Sequence, residues 1–222
     1  MRIIFVRHGE PDYENDCLTP NGRIQAELAA ERLKDEGIEE IYSSPLGRAG
    51  ETAEYTSKVL GIPVQTLECV REIKWGSRDG NPIFADGHPW DIADKTALEG
   101  MDITDISWRE NKFFCNNIAV EKTDIVEKGI DEWLSTFGYV RNGLYYDHIV
   151  EEEEHKTVAV FCHGGSSSAA IGRILNLPFP YVCALLHTDF TGITIIRMER
   201  KKGAGILPCL ELASDERHIK KL

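Results

Sequence analysis

The chain opens with Arg2-Ile3-Ile4-Phe5-Val6-Arg7-His8-Gly9-Glu10, and this stretch decides the fold. Its β-branched and aromatic run, residues 2–6, predicts a short buried strand. The strand delivers an arginine, a histidine and a glycine to its carboxyl end. In open α/β sheets that edge is where ligands bind. We therefore expect Arg7 and His8 to belong to a binding site.

The segments that follow alternate between helix and strand. Thr19 is a predicted N-cap, and Pro20 suits the first position of a helix. The next predicted elements are a strand over 38–42, a helix over 46–60 and a strand over 63–67. A β-α-β-α-β order of this kind predicts a parallel sheet with right-handed crossovers.

The alternation is interrupted between about residues 76 and 155, where we expect loops and helices that cap the strand ends. Within this stretch the four glutamates 151–154 are predicted to form a solvated turn. The alternation resumes with a strand over 157–161, a helix over 166–175 and two late strands over 191–197 and 206–212. We predict a single α/β domain over residues 1–222, with a mostly parallel central sheet and a helical cap insertion at about 76–155.

Composition excludes several classes of partner. The 222 residues carry a net charge of −12, so an extended basic surface for nucleic acid or anionic membrane is not expected. The six cysteines are scattered without a CxxC pair, which argues against a zinc ribbon or a thioredoxin-type site. No charged leader and no run of about 18 apolar residues is present. We expect a cytoplasmic protein with reduced thiols, and a homodimer stays open.

Candidate chemistry gathers at the predicted strand ends. The segments there are residues 7–9, 43–48, 71–72 and 162–165. Parallel topology brings them to one edge, where the candidate site residues are Arg7, His8, Arg48, Glu72 and His163. Two guanidinium groups suit the several oxygens of a phosphoryl group, and helix N-termini add N–H donors. A neutral histidine can act as nucleophile, while a carboxylic acid can protonate a leaving oxygen.

The same segments resemble the histidine phosphatase superfamily, also called the phosphoglycerate-mutase-like family, over roughly residues 2–80 and 156–198. The motifs that carry the resemblance are Arg7-His8-Gly9-Glu10, Leu18-Thr19-Pro20-Asn21-Gly22, Ser43 to Ala49 with Thr52, Glu72-Ile73-Lys74-Trp75-Gly76 and His163-Gly164-Gly165.

The resemblance implies a role for each motif residue. His8 would be the nucleophile that becomes phosphorylated. The residues that would hold the phosphoryl oxygens are Arg7, Arg48 and His163. Glu72 would be the general acid and later the base that activates water. The family's three-layer α/β/α fold, without metal or cofactor, is implied as well.

Other substrate contacts are assigned to Gly164, Asn15 and Trp75. The family often has Thr or Ser after Arg-His-Gly-Glu and then an asparagine that touches phosphate. Here Pro11 follows the motif, Glu14 stands about where that asparagine would be, and Asn15 is one place later. The cap is the best place to look for specificity, and its candidate residues are Lys74, Trp75, Arg78, Phe84, His88 and Trp90.

The motifs favour a phosphatase that acts on a small phosphorylated metabolite over two alternatives. Phosphoglycerate mutases typically have His-Tyr-Gly after the acidic residue, whereas Ile73-Lys74-Trp75-Gly76 is closer to the phosphatase branch. Hydrolysis is therefore favoured, with a phosphoglycerate-type mutase and a non-catalytic binder of phosphorylated ligands as alternatives.

Three other chemistries fit less well. A thiol phosphatase built on Cys162 would need an arginine where Ser168 stands, so Cys162 is predicted to be core packing. The run 165–169 lacks the second glycine of a serine-hydrolase elbow. A metal bound by His8, His163 and Glu72 would be repelled by the adjacent arginines.

Overall fold

The structure is a computed structural model, and it describes residues 1–149, 156–198 and 205–220. The strands in these ranges are β1 (Arg2–Arg7), β2 (Pro11–Asp12), β3 (Cys17–Leu18), β4 (Glu40–Ser43), β5 (Val64–Thr66), β6 (Tyr139–Asn142), β7 (Tyr145–His148), β8 (Thr157–Cys162), β9 (Ile193–Arg197) and β10 (Cys209–Asp215). The α-helices are α1 (Pro20–Leu33), α2 (Gly47–Leu60), α3 (Pro89–Leu98), α4 (Ala119–Ser135), α5 (Gly164–Leu175) and α6 (Phe179–Leu185).

Six strands form the central sheet, in the order β10-β9-β1-β8-β4-β5. The four strands β1, β8, β4 and β5 run parallel to one another, whereas β9 is antiparallel to both of its neighbours. The predicted mostly parallel sheet is confirmed. As a result, the carboxyl ends of β1, β4 and β8 lie at the same edge.

The alternating side chains of β1 divide the core into two clusters. Ile3 and Phe5 pack in a cluster to which α4 and α5 contribute. Ile4 and Val6 point to the opposite face and pack with residues of α1 and α2. Because helices cover both faces of the sheet, β1 is a continuous run of apolar residues between its two arginines. The three-layer α/β/α arrangement is confirmed.

The predicted start of the first helix and the predicted end of the second helix at residue 60 are also observed. The Thr19 hydroxyl caps α1 by accepting the Gly22 N–H at 3.0 Å, and Pro20 is the first helical residue. Gly61 ends α2 in the left-handed region, at φ +70°. These features were predicted correctly because caps are decided by local residues.

Other elements were missed or shifted. The short hairpin β2–β3 lies in a stretch expected to be loop, since two-residue strands carry no periodicity. The hairpin β6–β7 turns at Gly143-Leu144, and Gly143, at φ +62°, stands at the first central position, where a two-residue hairpin loop favours glycine. The last strand runs over Cys209–Asp215 instead of 206–212. The glutamates 151–154 lie outside the described residues.

The stretch predicted as a cap has two different parts. Its helix α4 buries Val126, Ile130 and Leu134 in the core cluster on one face of the sheet. The Asp131 carboxylate on the same helix accepts hydrogen bonds from Arg173 of α5, at 2.6 and 2.8 Å. Only the earlier part, which includes α3, borders the cavity described below. The division of the chain into one domain with a cap stays a prediction.

Two further observations concern the whole chain. Among the described residues, no single helix is long and apolar enough to cross a membrane, and α5 with α6 meets that test only as a pair bent by 116°. All six cysteines carry free thiols, and Cys162 is buried in the core as predicted.

Replacing Ile130 with alanine tests whether α4 belongs to the main core. Ile130 is fully buried, so Ile130→Ala should lower the free energy of unfolding by about 2–5 kcal/mol in urea titrations. The matched control is Ile125→Ala on the same helix, where the side chain is 57 % exposed and the change should stay within about 0.5 kcal/mol. Equal effects of the two substitutions, or a separate transition for the insertion, would contradict this packing.

Candidate active site

The backbone ladder of the sheet continues beyond the strand ends and fixes the candidate site. The His8 N–H donates to the Cys162 carbonyl at 3.0 Å, and the Ser44 N–H donates to the Phe161 carbonyl at 2.9 Å. These bonds hold the segments after β1, β4 and β8 side by side. His8 and His163 are therefore neighbours, with ring centroids 5.0 Å apart.

His8 presents one nitrogen for chemistry. Its Nδ1 lies 2.7 Å from the Gly9 carbonyl oxygen, which can only accept, so Nδ1 carries the proton. In the neutral ring Nε2 then holds the lone pair, and it makes no hydrogen bond with any described residue. This is the tautomer that a histidine nucleophile attacking through Nε2 requires.

His163 has the opposite arrangement. Its Nε2 lies 2.8 Å from the Ser44 hydroxyl, which already accepts the Leu46 N–H at 3.3 Å. The hydroxyl proton is thus free to be donated to Nε2, which leaves the proton of the neutral ring on Nδ1. This buried Nδ1 has no partner among the described residues. It can donate to an oxygen of a bound group.

Burial keeps both imidazoles neutral. It lowers the pKa of His8 to about 3, and the positive charges of Arg7 and Arg48 add to the effect. Burial also lowers the pKa of His163 to about 2, with further contributions from His8, Arg48 and Arg7. Near neutral pH, His8 is thus an uncharged imidazole close to two positively charged guanidinium groups.

The two predicted arginines border the same cavity from different elements. Arg7 donates through Nη1 to the Thr188 carbonyl at 2.6 Å, and its Cζ lies 4.6 Å from the centre of the Phe190 ring. Arg48 lies in the first turn of α2 and is largely buried. The buried Nε atoms of both guanidinium groups lack a hydrogen-bond partner in the described structure. Each therefore retains donors for an anion.

Asp16 is a residue of this site that the sequence analysis missed. Its carboxylate accepts from Arg48 Nη1 at 2.6 Å and from the Gly47 N–H at 2.7 Å. Burial alone would raise the pKa of Asp16, but these donors outweigh it and lower that pKa. The residue has φ +49°, a conformation that aspartate tolerates better than most side chains. No pattern in the sequence distinguishes it from its acidic neighbours.

Asn15 lies on the exposed hairpin between β2 and β3. Its Nδ2 donates to Asp12 Oδ2 at 2.8 Å, and Asn15 is not among the residues that line the cavity. Tyr13 of the same hairpin does line it and lies beside Arg48, with the guanidinium carbon 5.4 Å from the ring centre. The phosphate contact assigned to Asn15 stays a prediction, and this arrangement gives it no support.

Glu72 lies at the N-terminus of α5. Its Oε1 accepts from the backbone N–H groups of Ile73 at 2.9 Å and Ser166 at 3.0 Å. Burial raises the pKa of Glu72 above its ordinary value, although these donors and Arg48 oppose the rise. Gly165 permits this close approach, because a Cβ there would stand 2.8 Å from Oε1. A carboxyl group with a raised pKa suits a general acid.

A cavity of about 730 Å³ opens over these groups. The predicted site residues that line it are Arg7, Arg48, Glu72, Trp75 and Gly164. His8 is 1 % exposed and His163 is fully buried, and neither is among the residues that line the cavity, although each directly precedes or follows a lining residue in the chain, Gly164 or Arg7.

The predicted specificity residues of the cap fall into two groups. Trp75, His88 and Trp90 line the cavity. Phe84, Lys74 and Arg78 do not, and Arg78 instead donates to the Cys115 carbonyl at 2.9 Å. His187, which was not predicted to have a role, also borders the cavity. Within the described ranges, no group of three or more His, Cys, Asp or Glu side chains is placed to hold a metal ion.

Comparison with known proteins places the chain in a family. The family model of the histidine phosphatase superfamily (branch 1) matches residues 3–114, which is half of the chain. The chain belongs to this superfamily, and the resemblance drawn from the motifs is confirmed.

Two individual relatives share about a quarter to a third of their aligned residues with this chain. A protein of Hydrogenobacter thermophilus, provisionally named phosphoserine phosphatase 2, is 26 % identical over 210 residues, which cover 90 % of this chain and 91 % of that protein. A provisionally named phosphoglycerate mutase GpmB of Yersinia enterocolitica is 33 % identical over 92 residues, which cover 37 % of this chain and 43 % of that protein.

Solved structures share the fold. A mycobacterial glucosyl-3-phosphoglycerate phosphatase has a TM-score of 0.65 at 23 % identity, with 96 % of this chain and 98 % of that chain covered. A phosphoserine phosphatase from Entamoeba histolytica, in complex with 3-phosphoglyceric acid, has a TM-score of 0.63 at 23 % identity, with 98 % of each chain covered.

The arginine geometry predicts an anion site that can be measured without any assumption about turnover. Arg48→Ala should weaken the binding of orthophosphate at least about tenfold in calorimetric titrations, since it removes a charge-assisted, two-pronged donor. Lys58→Ala removes one positive charge from the exposed end of the same helix and should leave affinity unchanged. Equal affinities of the Arg48→Ala variant and the wild type would exclude Arg48 from the anion site.

Proposed function

We propose that this protein hydrolyses phosphate monoesters of small metabolites through a phosphohistidine formed on His8. One observation carries the proposal: the Gly9 carbonyl orients the neutral His8 ring so that Nε2 is its free nitrogen, and the residue before it, Arg7, borders a cavity together with Arg48. Membership in the histidine phosphatase superfamily supports the same chemistry.

In the first step, the lone pair of His8 Nε2 attacks phosphorus and the bond to the ester oxygen breaks. The leaving alkoxide takes the proton of the Glu72 carboxyl group. Arg7, Arg48 and the Nδ1–H of His163 donate to the phosphoryl oxygens, whose negative charge they offset. The backbone N–H of Gly164 is a further candidate donor at the start of α5.

In the second step, water attacks the phosphorus of the phosphohistidine. Glu72, now a carboxylate, accepts a proton from that water, and the bond between phosphorus and His8 Nε2 breaks. The products are orthophosphate and the original neutral imidazole. Glu72 is again protonated, so the cycle closes without metal or cofactor.

The lengths of the alignments with the two relatives favour hydrolysis over phosphoryl transfer to a second hydroxyl. The relative named as a phosphatase aligns with 90 % of this chain, whereas the one named as a mutase aligns with 37 %. The longer alignment supports the phosphatase alternative.

Substitution of His8 tests the nucleophile. His8→Ala should reduce turnover of p-nitrophenyl phosphate by roughly a thousandfold or more, because no other group replaces Nε2. A protein-bound phosphoryl label that is stable in base and lost in acid should form on the wild type and be absent from the variant. EDTA should leave the wild-type rate unchanged.

A matched substitution tests the serine alternative. Ser167→Ala replaces the central serine of the run 165–169, and this variant should retain most of its turnover. An active His8→Ala variant would remove the phosphohistidine from the proposal. A rate abolished by EDTA would point to a metal site instead.

The role of Glu72 sets the pH dependence. The acid must be protonated and His8 must be neutral, so kcat/KM for an alkyl phosphate should fall as pH rises through the raised Glu72 pKa. On the acid side, protonation of His8 should lower kcat/KM near pH 3, and the second ionisation of the substrate phosphate, at about pH 6, should add a separate change. Glu72→Gln should lower kcat/KM for alkyl phosphates by about 10²–10⁴ and abolish the alkaline limb.

Two comparisons make this test specific. The first step with p-nitrophenyl phosphate needs no acid, so its kcat/KM should change much less in Glu72→Gln. Glu68→Gln replaces an exposed carboxylate four residues earlier and should leave kcat/KM unchanged for both substrates. An alkaline limb that persists in Glu72→Gln would assign the proton donor to another group.

A further inference from the structure

The part of the cavity beyond the two arginines has its own chemical character. We call it the outer wall and define it as Trp75, His88, Trp90, Asp91 and Asp94. It combines aromatic rings with carboxylates. Among the described residues that line the cavity, no lysine or arginine is found besides Arg7 and Arg48.

The three rings of the outer wall form a corner. His88 lies between the tryptophans, with its centroid 5.3 Å from Trp75 and 5.1 Å from Trp90. The two indoles are nearly perpendicular, at 82° and 6.2 Å. All three side chains are partly exposed, so their surfaces are available to a ligand in the cavity.

This corner begins next to the arginine that faces the phosphoryl group. The Cβ that Gly164 lacks would stand 3.3 Å from Trp90 Cζ2 and 3.7 Å from Arg7 Cζ. The indole and the guanidinium group therefore approach the same point from different sides. A group esterified to a phosphate held by Arg7 would meet Trp90 first.

The two carboxylates lie one turn apart on α3 and differ in their partners. Asp91 Oδ2 is 2.8 Å from His88 Nδ1, so Asp91 is paired within the wall. Asp94 makes no hydrogen bond or ion pair with any described residue, although it lines the cavity. The cavity thus combines a cationic end with an outer wall that holds an uncommitted negative charge.

We infer that the substrates are phosphate monoesters of amino alcohols, whose leaving group carries an ammonium charge and no carboxylate. This inference rests on the proposed phosphatase activity. An ammonium group is attracted both by indole faces and by a carboxylate. A leaving group with a carboxylate would be repelled by Asp94 and would find no lysine or arginine among the described residues of the outer wall.

The charge itself can be tested with two esters of the same shape. Phosphocholine and 3,3-dimethylbutyl phosphate differ only in that a quaternary nitrogen replaces a carbon. We expect kcat/KM to be at least about tenfold higher for phosphocholine. If the outer wall recognised only apolar surface, the enzyme would hydrolyse the uncharged ester equally well or faster. That result would overturn the inference.

A second pair tests the carboxylate. O-phosphoserine is O-phosphoethanolamine with a carboxylate added. We expect kcat/KM for O-phosphoserine to be lower than that for O-phosphoethanolamine by at least about tenfold. Comparable or faster hydrolysis of O-phosphoserine would overturn the exclusion of carboxylates.

A matched control separates the role of Asp94 in the cavity from the effect of removing one negative charge elsewhere on the protein. Asp94→Asn should lower kcat/KM for phosphocholine about five- to tenfold and leave that for 3,3-dimethylbutyl phosphate unchanged. Asp35→Asn removes an equal charge at an exposed position that does not line the cavity and should affect neither ester. Equal losses for both esters in Asp94→Asn would overturn the assigned role.

Binding distinguishes this inference from the proposed function. With the His8→Ala variant, calorimetry should show tighter binding of phosphocholine than of 3,3-dimethylbutyl phosphate, and Asp94→Asn should abolish the difference. If the wild type hydrolyses neither ester but this preference is present, the outer wall binds ammonium groups and the phosphatase proposal fails. If aryl phosphate is hydrolysed but the preference is absent, the inference about the leaving group fails alone.

Discussion

The candidate site depends on the parallel pairing of β1, β8 and β4 in one register. The pairing places Arg7 opposite Cys162 and Ser43 opposite Phe161. The next backbone bonds, from His8 and Ser44, extend this ladder beyond the strands. Because side chains alternate along a strand, a slip by one residue would turn the motif side chains to the opposite face. The helices on both faces prevent such a slip, since it would exchange the residues of two separate cores.

Burial at this edge acts on acids and bases in opposite directions. It lowers the pKa of His8 and His163, which stay neutral, and it raises the pKa of Glu72. The two arginines reinforce the first effect. A neutral imidazole and a carboxyl group with a raised pKa are the protonation states that nucleophilic attack and proton donation need. Asp16 offsets part of the positive charge by pairing with Arg48, whose remaining donors are still open to an anion.

Local and periodic features of the sequence predicted the sheet, the start of α1 and the meeting of Arg7, Arg48 and Glu72 at one cavity. Strand alternation and capping depend on neighbouring residues, so they can be derived from one chain. The position of Asp16 could not be, because its left-handed backbone and its bond to Arg48 depend on how the β2–β3 hairpin lies on α2. The burial of α4 was missed for a related reason: an amphipathic helix does not reveal which surface it covers.

The two ends of the cavity are supplied by different parts of the fold. Arg7 ends β1, and Arg48 lies in the first turn of α2, after β4; the cores on both faces fix the register of these strands. The outer wall comes from α3 and the loop before it, and α3 packs on α6. A change at Asp94 on the surface of α3 would therefore alter the charge of the outer wall without moving the ladder that positions His8. In the function proposed for this site, chemistry and selectivity are separable, because the interactions that hold His8 do not include those of the outer wall.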